Sequence, residues 1–190
     1  VKALNAKGMA DLSRRELDAL GKYVAIYGAK GLAYFVMQPD GSIKSPITKF
    51  LTDDMVKKIC EATNAEVGDV IFFGADSFKI VNDSLGHLRL GLARKRNLID
   101  ESKFNLLWVT EFPMFEWFEE ENRYMAMHHP FTMPYEEDLP YLMTDPARVR
   151  SQAYDVVLNG IELGSGSIRI HRPDVQALMF RALGFTEETA

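Results

Sequence analysis

The scarcity of cysteine, of long apolar runs and of positive charge excludes three classes of protein. The 190 residues include one cysteine, Cys60, so no internal disulfide framework can form, and a reducing, cytoplasmic location is expected. No run of about 18 uninterrupted apolar residues occurs, so no membrane-spanning helix is predicted. The formal net charge is −5, whereas a protein that binds nucleic acid tightly on its own usually carries a basic excess. The run Arg94-Lys95-Arg96 predicts either a local nucleic-acid contact or, more simply, a solvated helix end.

The first part of the chain alternates helix and strand signals up to residue 103. Ser13 and Glu16 have the spacing of a capping box, and Thr52 can cap a second helix. Apolar residues after Asp76 recur at intervals of three and four, which predicts a long amphipathic helix. Short apolar runs at 32–37 and 69–73 predict strands between these helices. The pattern predicts a first domain, residues 1–103, that is α/β or α+β.

The second part, residues 104–190, has the pattern of an antiparallel sheet. Long strands are expected at Phe104–Thr110, Arg123–Phe131 and Asp155–Ile170, followed by a helix that begins at Pro173 and ends at Gly184. The predicted fold class of the whole chain is therefore α+β. Residues 1–4 resemble a strand entered part-way, and residues 186–190 the opening of a helix, so the sequence is expected to be a piece of a longer polypeptide.

Residues 160–170 contain the densest cluster of uncommon residues. In an even strand Glu162 and Arg169 would point to opposite faces, because their separation is odd. A bulge at Gly164-Ser165-Gly166 would bring both charges to one side, and the glycines would let a ligand approach the backbone. The structural alternative is a hairpin or barrel corner with a solvent-exposed Glu and Arg. The pattern alone leaves both interpretations open.

A second cluster is Met127-His128-His129-Pro130-Phe131-Thr132. Adjacent histidines on a strand face opposite ways, and no cysteine or carboxylate stands at zinc-ligand spacing. An imidazole beside a pocket could donate to a carboxylate; the structural alternative is one core histidine beside an exposed one. No Ser/His/Asp arrangement or Gly-rich phosphate loop accompanies it, and Cys60, on an apolar helix face, is expected to be a packing residue.

Taken together, these segments resemble one family. The order LLWVTEFPMFEW, MAMHHPFTMP and YDVVLNGIELGSGSIRIH resembles the class II aspartyl-tRNA synthetases of bacteria. The preceding segments YGAKGLAYF and SPITKFL resemble their inserted GAD domain, which is shared with the transamidosome subunit GatB. The resemblance covers essentially the whole chain. The GIELGSGSIRIH strand alone is also similar to the asparagine and lysine enzymes, so the combination of MHHPFT with a GAD domain is what points to aspartate.

The resemblance implies an expected role for each matching residue. Glu162 would hold the magnesium ion bound to ATP, with Asp155 and Ser165 assisting, because hard cations prefer oxygen ligands. Arg169 would clamp the side-chain carboxylate of L-aspartate, and His128, with its neighbour His129, would lie near the amino acid. The expected cofactors are ATP and Mg²⁺, and the expected partners are L-aspartate and an aspartate tRNA, in a homodimeric parent enzyme.

The same resemblance implies that this chain alone is inactive, because the anticodon-binding barrel and the motifs that supply the other half of the site are not in it. The main alternative is a non-catalytic, tRNA-contacting accessory module like the corresponding domain of GatB. A further alternative is a GAD-bearing structural protein whose catalytic sheet has decayed. The sequence leaves open whether the parent charges only the aspartate tRNA or the asparagine tRNA as well.

Overall fold

Two separate units divide the chain, Val1–Asp100 and Glu101–Ala190. The computed structural model describes residues 1–186. The helix expected to open at residues 186–190 falls almost wholly outside the described residues. The division lies close to the expected domain limit at residue 103. In residues 1–186 no helix is long and apolar enough to cross a bilayer.

The first unit is built on a four-stranded sheet with the order β1-β4-β2-β3. Its strands are β1 (Lys2–Ala6), β2 (Ala33–Met37), β3 (Ile43–Lys44) and β4 (Val70–Gly74). Every pairing between them is antiparallel. Of the two arrangements that the sequence left open, the unit is therefore α+β. A short 3₁₀ turn, Thr48–Phe50, follows the sheet's edge strand β3.

Three helices complete this unit, α1 (Arg14–Ala25), α2 (Asp53–Ala62) and α3 (Phe78–Lys95). The capping box of α1 is confirmed, since the Ser13 hydroxyl accepts from the Glu16 N–H and the Glu16 carboxylate accepts from the Ser13 N–H at 2.9 Å. The Thr52 hydroxyl likewise accepts from the Met55 N–H at the start of α2. These caps act within four residues of sequence, which is why the pattern located the helix starts.

The core of the first unit lies between the sheet and helices α1 and α3. Its fully enclosed side chains include Val24, Val70, Phe72 and Leu88, all at 0% exposure. The long helix α3 supplies this core at intervals of three and four residues, as its periodicity predicts. Its first residue, Phe78, lies outside the core instead, with its ring 4.9 Å from the Lys2 ammonium group.

The second unit contains a three-stranded antiparallel sheet with the order β5-β8-β9 and a separate hairpin, β6-β7. The strands are β5 (Leu106–Pro113), β6 (Phe115–Phe118), β7 (Arg123–Ala126), β8 (Arg150–Leu158) and β9 (Ile161–Ser167). Two 3₁₀ helices, Glu136–Tyr141 and Pro146–Arg148, lead into β8. Helix α4 (Pro173–Ala182) ends the described part and encloses Met179 against Met114 and Leu142.

Two strand predictions in this unit are wrong in their limits. The expected strand Asp155–Ile170 is a hairpin, because Asn159 and Gly160 both have positive φ (50° and 82°) and turn the chain between β8 and β9. The expected strand Arg123–Phe131 ends at Ala126, so His128 and His129 lie in an irregular loop. The predicted last helix is confirmed, with Pro173 at its start.

Candidate active site

Asp155 and Ser165 lie side by side on the sheet of the second unit. Asp155 on β8 pairs with Ser165 on β9 and with Val109 on β5. Residues paired directly across an antiparallel sheet project from the same face, so the carboxyl and hydroxyl groups share one face. We call this surface, which carries Asp155, Ser165 and Glu162, the site face. Farther along β8 the same face carries Ser151 and Ala153, which are buried.

A bulge brings Glu162 to this face. Val156 pairs with Gly164 but Val157 pairs with Glu162, so Leu163 is an extra residue on β9. An extra residue reverses the alternation of the strand beyond it. The parity shift that the sequence indicated is therefore present, one residue before the expected Gly164–Gly166 step. Arg169 lies two residues beyond the end of β9, where it forms an isolated bridge with Thr132; its even separation from Ser165 is the one that an extended chain needs to direct it toward the site face.

The two carboxylates of the site face are accessible to a ligand. Glu162 is exposed and Asp155 half-buried, and within residues 1–186 neither makes an ion pair or a side-chain hydrogen bond. No group of three or more His, Cys, Asp or Glu side chains in the described part of the chain could enclose a metal ion by itself. Two carboxylates fit Mg²⁺ that keeps several ligands from substrate phosphates and water, whereas a site formed by protein ligands alone does not fit.

Arg169 and His129 are in direct contact. The Nη1 atom of Arg169 lies 2.9 Å from Nδ1 of His129 and also contacts Nε2 of that ring. The backbone N–H of Phe131 donates to the same Nδ1 at 3.2 Å. Because a guanidinium group has donors only, the imidazole must accept. Burial, and then the charge of Arg169, lower the pKa of His129, which favours this neutral form.

His128 lies apart from this pair. Its ring packs edge-on against Phe112, with the ring centroids 4.9 Å apart. The two histidines also line a pocket, together with Arg123, Pro130 and Phe185. His129 is thus the histidine that contacts Arg169, and the expected place of His128 near the amino acid stays a prediction.

The glycines of β9, Gly164 and Gly166, lie on the face of the sheet opposite to the site face. Gly166 pairs with Tyr154, and a Cβ atom at Gly166 would lie 2.8 Å from the Tyr154 ring. The ring in turn packs edge-on against Trp108. Gly166 therefore makes room for an aromatic side chain, and the expected close approach of a ligand at this glycine is not what the contacts indicate. Exposed Glu162 and Arg169 also agree with the structural alternative of a solvent-exposed hairpin.

Arg150 organises a charged network that sequence patterns did not predict. Its Nε donates to Asp138 at 2.8 Å, and its other nitrogens reach Glu137 at 2.9 Å and Glu111 at 3.3 Å. The hydrogen bond from Arg150 holds the pKa of Asp138 below its ordinary value, and the same bond raises the pKa of Arg150. The network fixes the start of β8. The acidic run at residues 136–138 is the only local signal for it.

Known proteins match both units of the chain. Residues 1–85 match the GAD domain family. Over its whole length the chain is 56% identical to an aspartate–tRNA(Asp/Asn) ligase of Anoxybacillus flavithermus and 54% identical to one of Desulfatibacillum aliphaticivorans. It is also 56% identical to an aspartate–tRNA ligase of Enterococcus faecalis. The chain covers 32% of each relative, so it spans about a third of the length of these proteins.

Proposed function

The chain is a homologue of aspartate–tRNA ligases and carries a GAD domain, and from this premise we propose that it forms part of the aspartate-activating site of such a ligase. In the proposed reaction the carboxylate of L-aspartate attacks the α-phosphorus of ATP and displaces pyrophosphate. The aspartyl group of the adenylate then passes to the terminal ribose of a tRNA, and AMP leaves.

The observation that carries the proposal is the shared face of Glu162, Asp155 and Ser165, with Arg169 in the same parity two residues beyond the end of β9. Not counting the bulged residue Leu163, Arg169 is six residues from Glu162, which is at most about 20 Å along an extended chain. A small compact ligand would not use both ends of such a row. An amino acid bound end to end with a nucleoside triphosphate would use both ends. The side-chain carboxylate of the amino acid would lie at Arg169, and the phosphates would lie near Glu162 and Asp155.

The acidic end of the row fits ATP with Mg²⁺. Glu162 and Asp155 would hold the ion, with the Ser165 hydroxyl beside them, because magnesium in nucleotide sites takes one or two protein carboxylates and fills its remaining positions with phosphate oxygens and water. The bound ion would supply neutralisation of phosphate charge. The contribution of the protein residues is to orient the phosphates relative to the amino acid.

The basic end of the row fits the side-chain carboxylate of aspartate. Arg169 contacts His129 through Nη1 alone, so its Nε and Nη2 donors remain for a two-point bond to a carboxylate. Asparagine would present an amide N–H₂ group to these donors and lose one of the two bonds. His129 and His128 lie in the adjacent loop. Because His129 is a neutral acceptor, it does not neutralise Arg169, and the positive charge remains available to the substrate carboxylate.

The remaining parts of the site would come from the rest of the ligase. We therefore expect the 190-residue chain alone to be inactive, and the complete ligase to be a cytoplasmic homodimer that acts on an aspartate tRNA. Relatives named for the aspartate tRNA alone and for both the aspartate and asparagine tRNAs occur at the same 56% identity. The choice between them is thus expected to depend on residues beyond this chain.

A second candidate function, contact with tRNA, is favoured for the first unit by its charge. Residues 1–100 contain fifteen Lys and Arg against twelve Asp and Glu, whereas residues 101–190 contain seven against fifteen. A net positive unit can contact phosphates through a salt-dependent attraction. Binding of tRNA to residues 1–100 that weakens steeply with salt would support this role, and binding independent of salt would count against it.

The test of the proposed site uses aspartate-dependent exchange of pyrophosphate into ATP. A chimeric ligase, in which this chain replaces the matching third of the Anoxybacillus flavithermus enzyme, supplies the missing parts. Glu162→Ala and Arg169→Ala are each expected to lower exchange at least about a hundredfold, since each removes a charge placed for the substrate. Glu120→Ala and Arg181→Ala, at exposed positions away from the site face, are the matched controls. Full activity of either site variant would refute the assigned role of that residue.

A further inference from the structure

Helix α4 touches the loop of residues 127–133, here called the histidine loop, at two points. The side-chain amide of Gln176 donates from Nε2 to the carbonyl oxygen of Pro130 at 3.0 Å. One helical turn later on the same face of α4, the Phe180 ring lies against the Phe131 ring with centroids 6.2 Å apart. Gln176 is half-buried and therefore partly shielded from competing water.

Pro130 lies between His129 and the two residues whose N–H groups hydrogen-bond to His129. The N–H of Phe131 donates to His129 Nδ1, and the N–H of Thr132 donates to the His129 carbonyl oxygen at 3.2 Å. Proline has a fixed φ and no N–H of its own, so the Pro130 carbonyl is its only backbone group available to a partner. Within residues 1–186, Gln176 is the only side chain outside the loop that hydrogen-bonds the backbone of residues 128–131.

The other border of the histidine loop is tied to the strand that carries Arg169. The Ile170 N–H donates to the Phe131 carbonyl at 2.9 Å, the Met133 N–H donates to the Ile168 carbonyl at 2.8 Å, and Thr132 forms a bridge with Arg169. These backbone bonds fix residues 131–133. They hold His129 only indirectly, through its bonds to Phe131 and Thr132, and they do not include Pro130, whose carbonyl is held by the Gln176 amide.

We propose that Gln176 is a positioning residue of the aspartate site: by holding the Pro130 carbonyl it keeps the His129 imidazole against Nη1 of Arg169, and so presents the other guanidinium donors to the carboxylate of aspartate. The inference rests on the proposed function. A guanidinium ordered before binding loses less side-chain entropy when the substrate arrives. Gln176 itself does not touch the substrate.

The first experiment examines the tether without requiring activity. The pKa of His129 is measured by ¹⁵N NMR of the histidine rings in the 190-residue chain and in its Gln176→Met variant, which keeps an unbranched side chain but has no donor. Burial of the ring depresses this pKa most, followed by the charges of Arg169 and His128. Release of the loop should therefore raise the pKa of His129 toward its ordinary value. Arg181→Ala, at an exposed position of the same helix, should leave the pKa unchanged.

The second experiment measures the kinetic consequence in the chimeric ligase. Gln176→Met is expected to raise the KM for aspartate about tenfold, with the KM for ATP and kcat within twofold of wild type. A general loss of folding would lower kcat or the active fraction instead, and Gln176→Asn, whose amide is one methylene too short, should behave like Gln176→Met.

The outcomes separate this inference from the proposed function. A folded Gln176→Met variant with an unchanged His129 pKa, or with an unchanged KM for aspartate, overturns the positioning role while leaving the ligase assignment intact. A wild-type chimera without exchange overturns the ligase assignment and, with it, any role of Gln176 in binding aspartate. The NMR comparison would still decide whether Gln176 holds the loop.

Discussion

Single side chains carry the candidate site, and Arg169 is the one whose chemistry is most specific. Its planar guanidinium can form two parallel bonds to one carboxylate, whereas a lysine ammonium is a point charge. Its Nη1 atom contacts His129, forty residues earlier in the chain. The sequence indicated the residue type and its neighbours. It could not indicate which of the two histidines would reach Arg169, because that depends on the course of an irregular loop.

Arg169→Lys is expected to raise the KM for aspartate in the chimeric ligase by roughly 10- to 100-fold, since a charged hydrogen bond contributes about 1.5–3 kcal/mol. Steady-state exchange kinetics at varied aspartate would measure it. Arg181→Lys, on the exposed side of α4, is the control. An unchanged KM in Arg169→Lys would show that any positive charge suffices there. It would contradict a two-point hydrogen bond between Arg169 and the carboxylate of aspartate.

Asp69 is a residue whose importance only the folded chain reveals. It is 3% exposed, and its carboxylate accepts from the backbone N–H groups of Gly8 and Glu66 and from the Asn5 amide, with Lys7 3.4 Å away. Burial alone would raise the pKa of Asp69, but these hydrogen bonds and the charge of Lys7 outweigh it and lower the pKa below 3.8. Because Gly8 and Asn5 lie about sixty residues away in sequence, no local pattern predicts this centre.

Asp69→Asn is expected to reduce the free energy of unfolding by about 1–3 kcal/mol at pH 7. The native pKa is lower than the unfolded one, so the contribution of the carboxylate is complete above the unfolded value. It is lost as the pH falls through the native value. Urea unfolding of wild type and variant from pH 7 to pH 3 should therefore show a difference that shrinks below about pH 4. Asp83→Asn, an exposed change on α3, should have little effect at any pH. A difference in unfolding free energy between wild type and Asp69→Asn that stays undiminished at acid pH would contradict this account.

Among the elements, helices were predictable and the β8–β9 hairpin was not. The starts of α1 and α2 depend on caps within four residues, and the apolar periodicity of α3 extends over its whole length. The limits of the strands depend on which neighbours pair with them. The dipeptide Asn159-Gly160 was nevertheless an available hairpin signal, because both positions need positive φ and this pair of residues adopts it readily.

Gly160→Ala is expected to destabilise the second unit by about 1 kcal/mol, because φ is +82° there although no atom lies near the added Cβ. Gly86→Ala, inside α3 and equally free of nearby atoms, is the comparison and should stabilise the first unit by about 0.5–1 kcal/mol. Chemical denaturation monitored by residue-resolved NMR would assign each change to its unit. Equal effects of the two substitutions would refute the conformational explanation.

At the scale of the whole molecule, the two units differ in composition and in how completely they bury their apolar residues. The first unit encloses its own core and carries the excess of basic residues. In the second unit the strand β5 leaves Leu106, Leu107 and Trp108 more than half exposed. Exposed apolar residues on consecutive strand positions are typical of surfaces that pack against another structure. In the proposed ligase, that structure is the remainder of the activating domain.

Composition and periodicity indicated the α+β class, and the order of motifs indicated the ligase family. The pairing of Asp155 with Ser165 and the bulge at Leu163 could not be obtained in this way, because both arise from register between strands. The sequence thus names the residues of the candidate site, and the fold explains why Asp155, Ser165 and Glu162 share one face.

Aspartate-dependent pyrophosphate exchange by the chimeric ligase, with asparagine as the competing amino acid, tests the central claim most directly. The account predicts exchange with aspartate at a rate comparable to the Anoxybacillus flavithermus enzyme, exchange with asparagine at least a hundredfold weaker, and no exchange by the 190-residue chain alone. A folded, dimeric chimera that exchanges with neither amino acid would contradict the claim that this chain forms part of an aspartate-activating site.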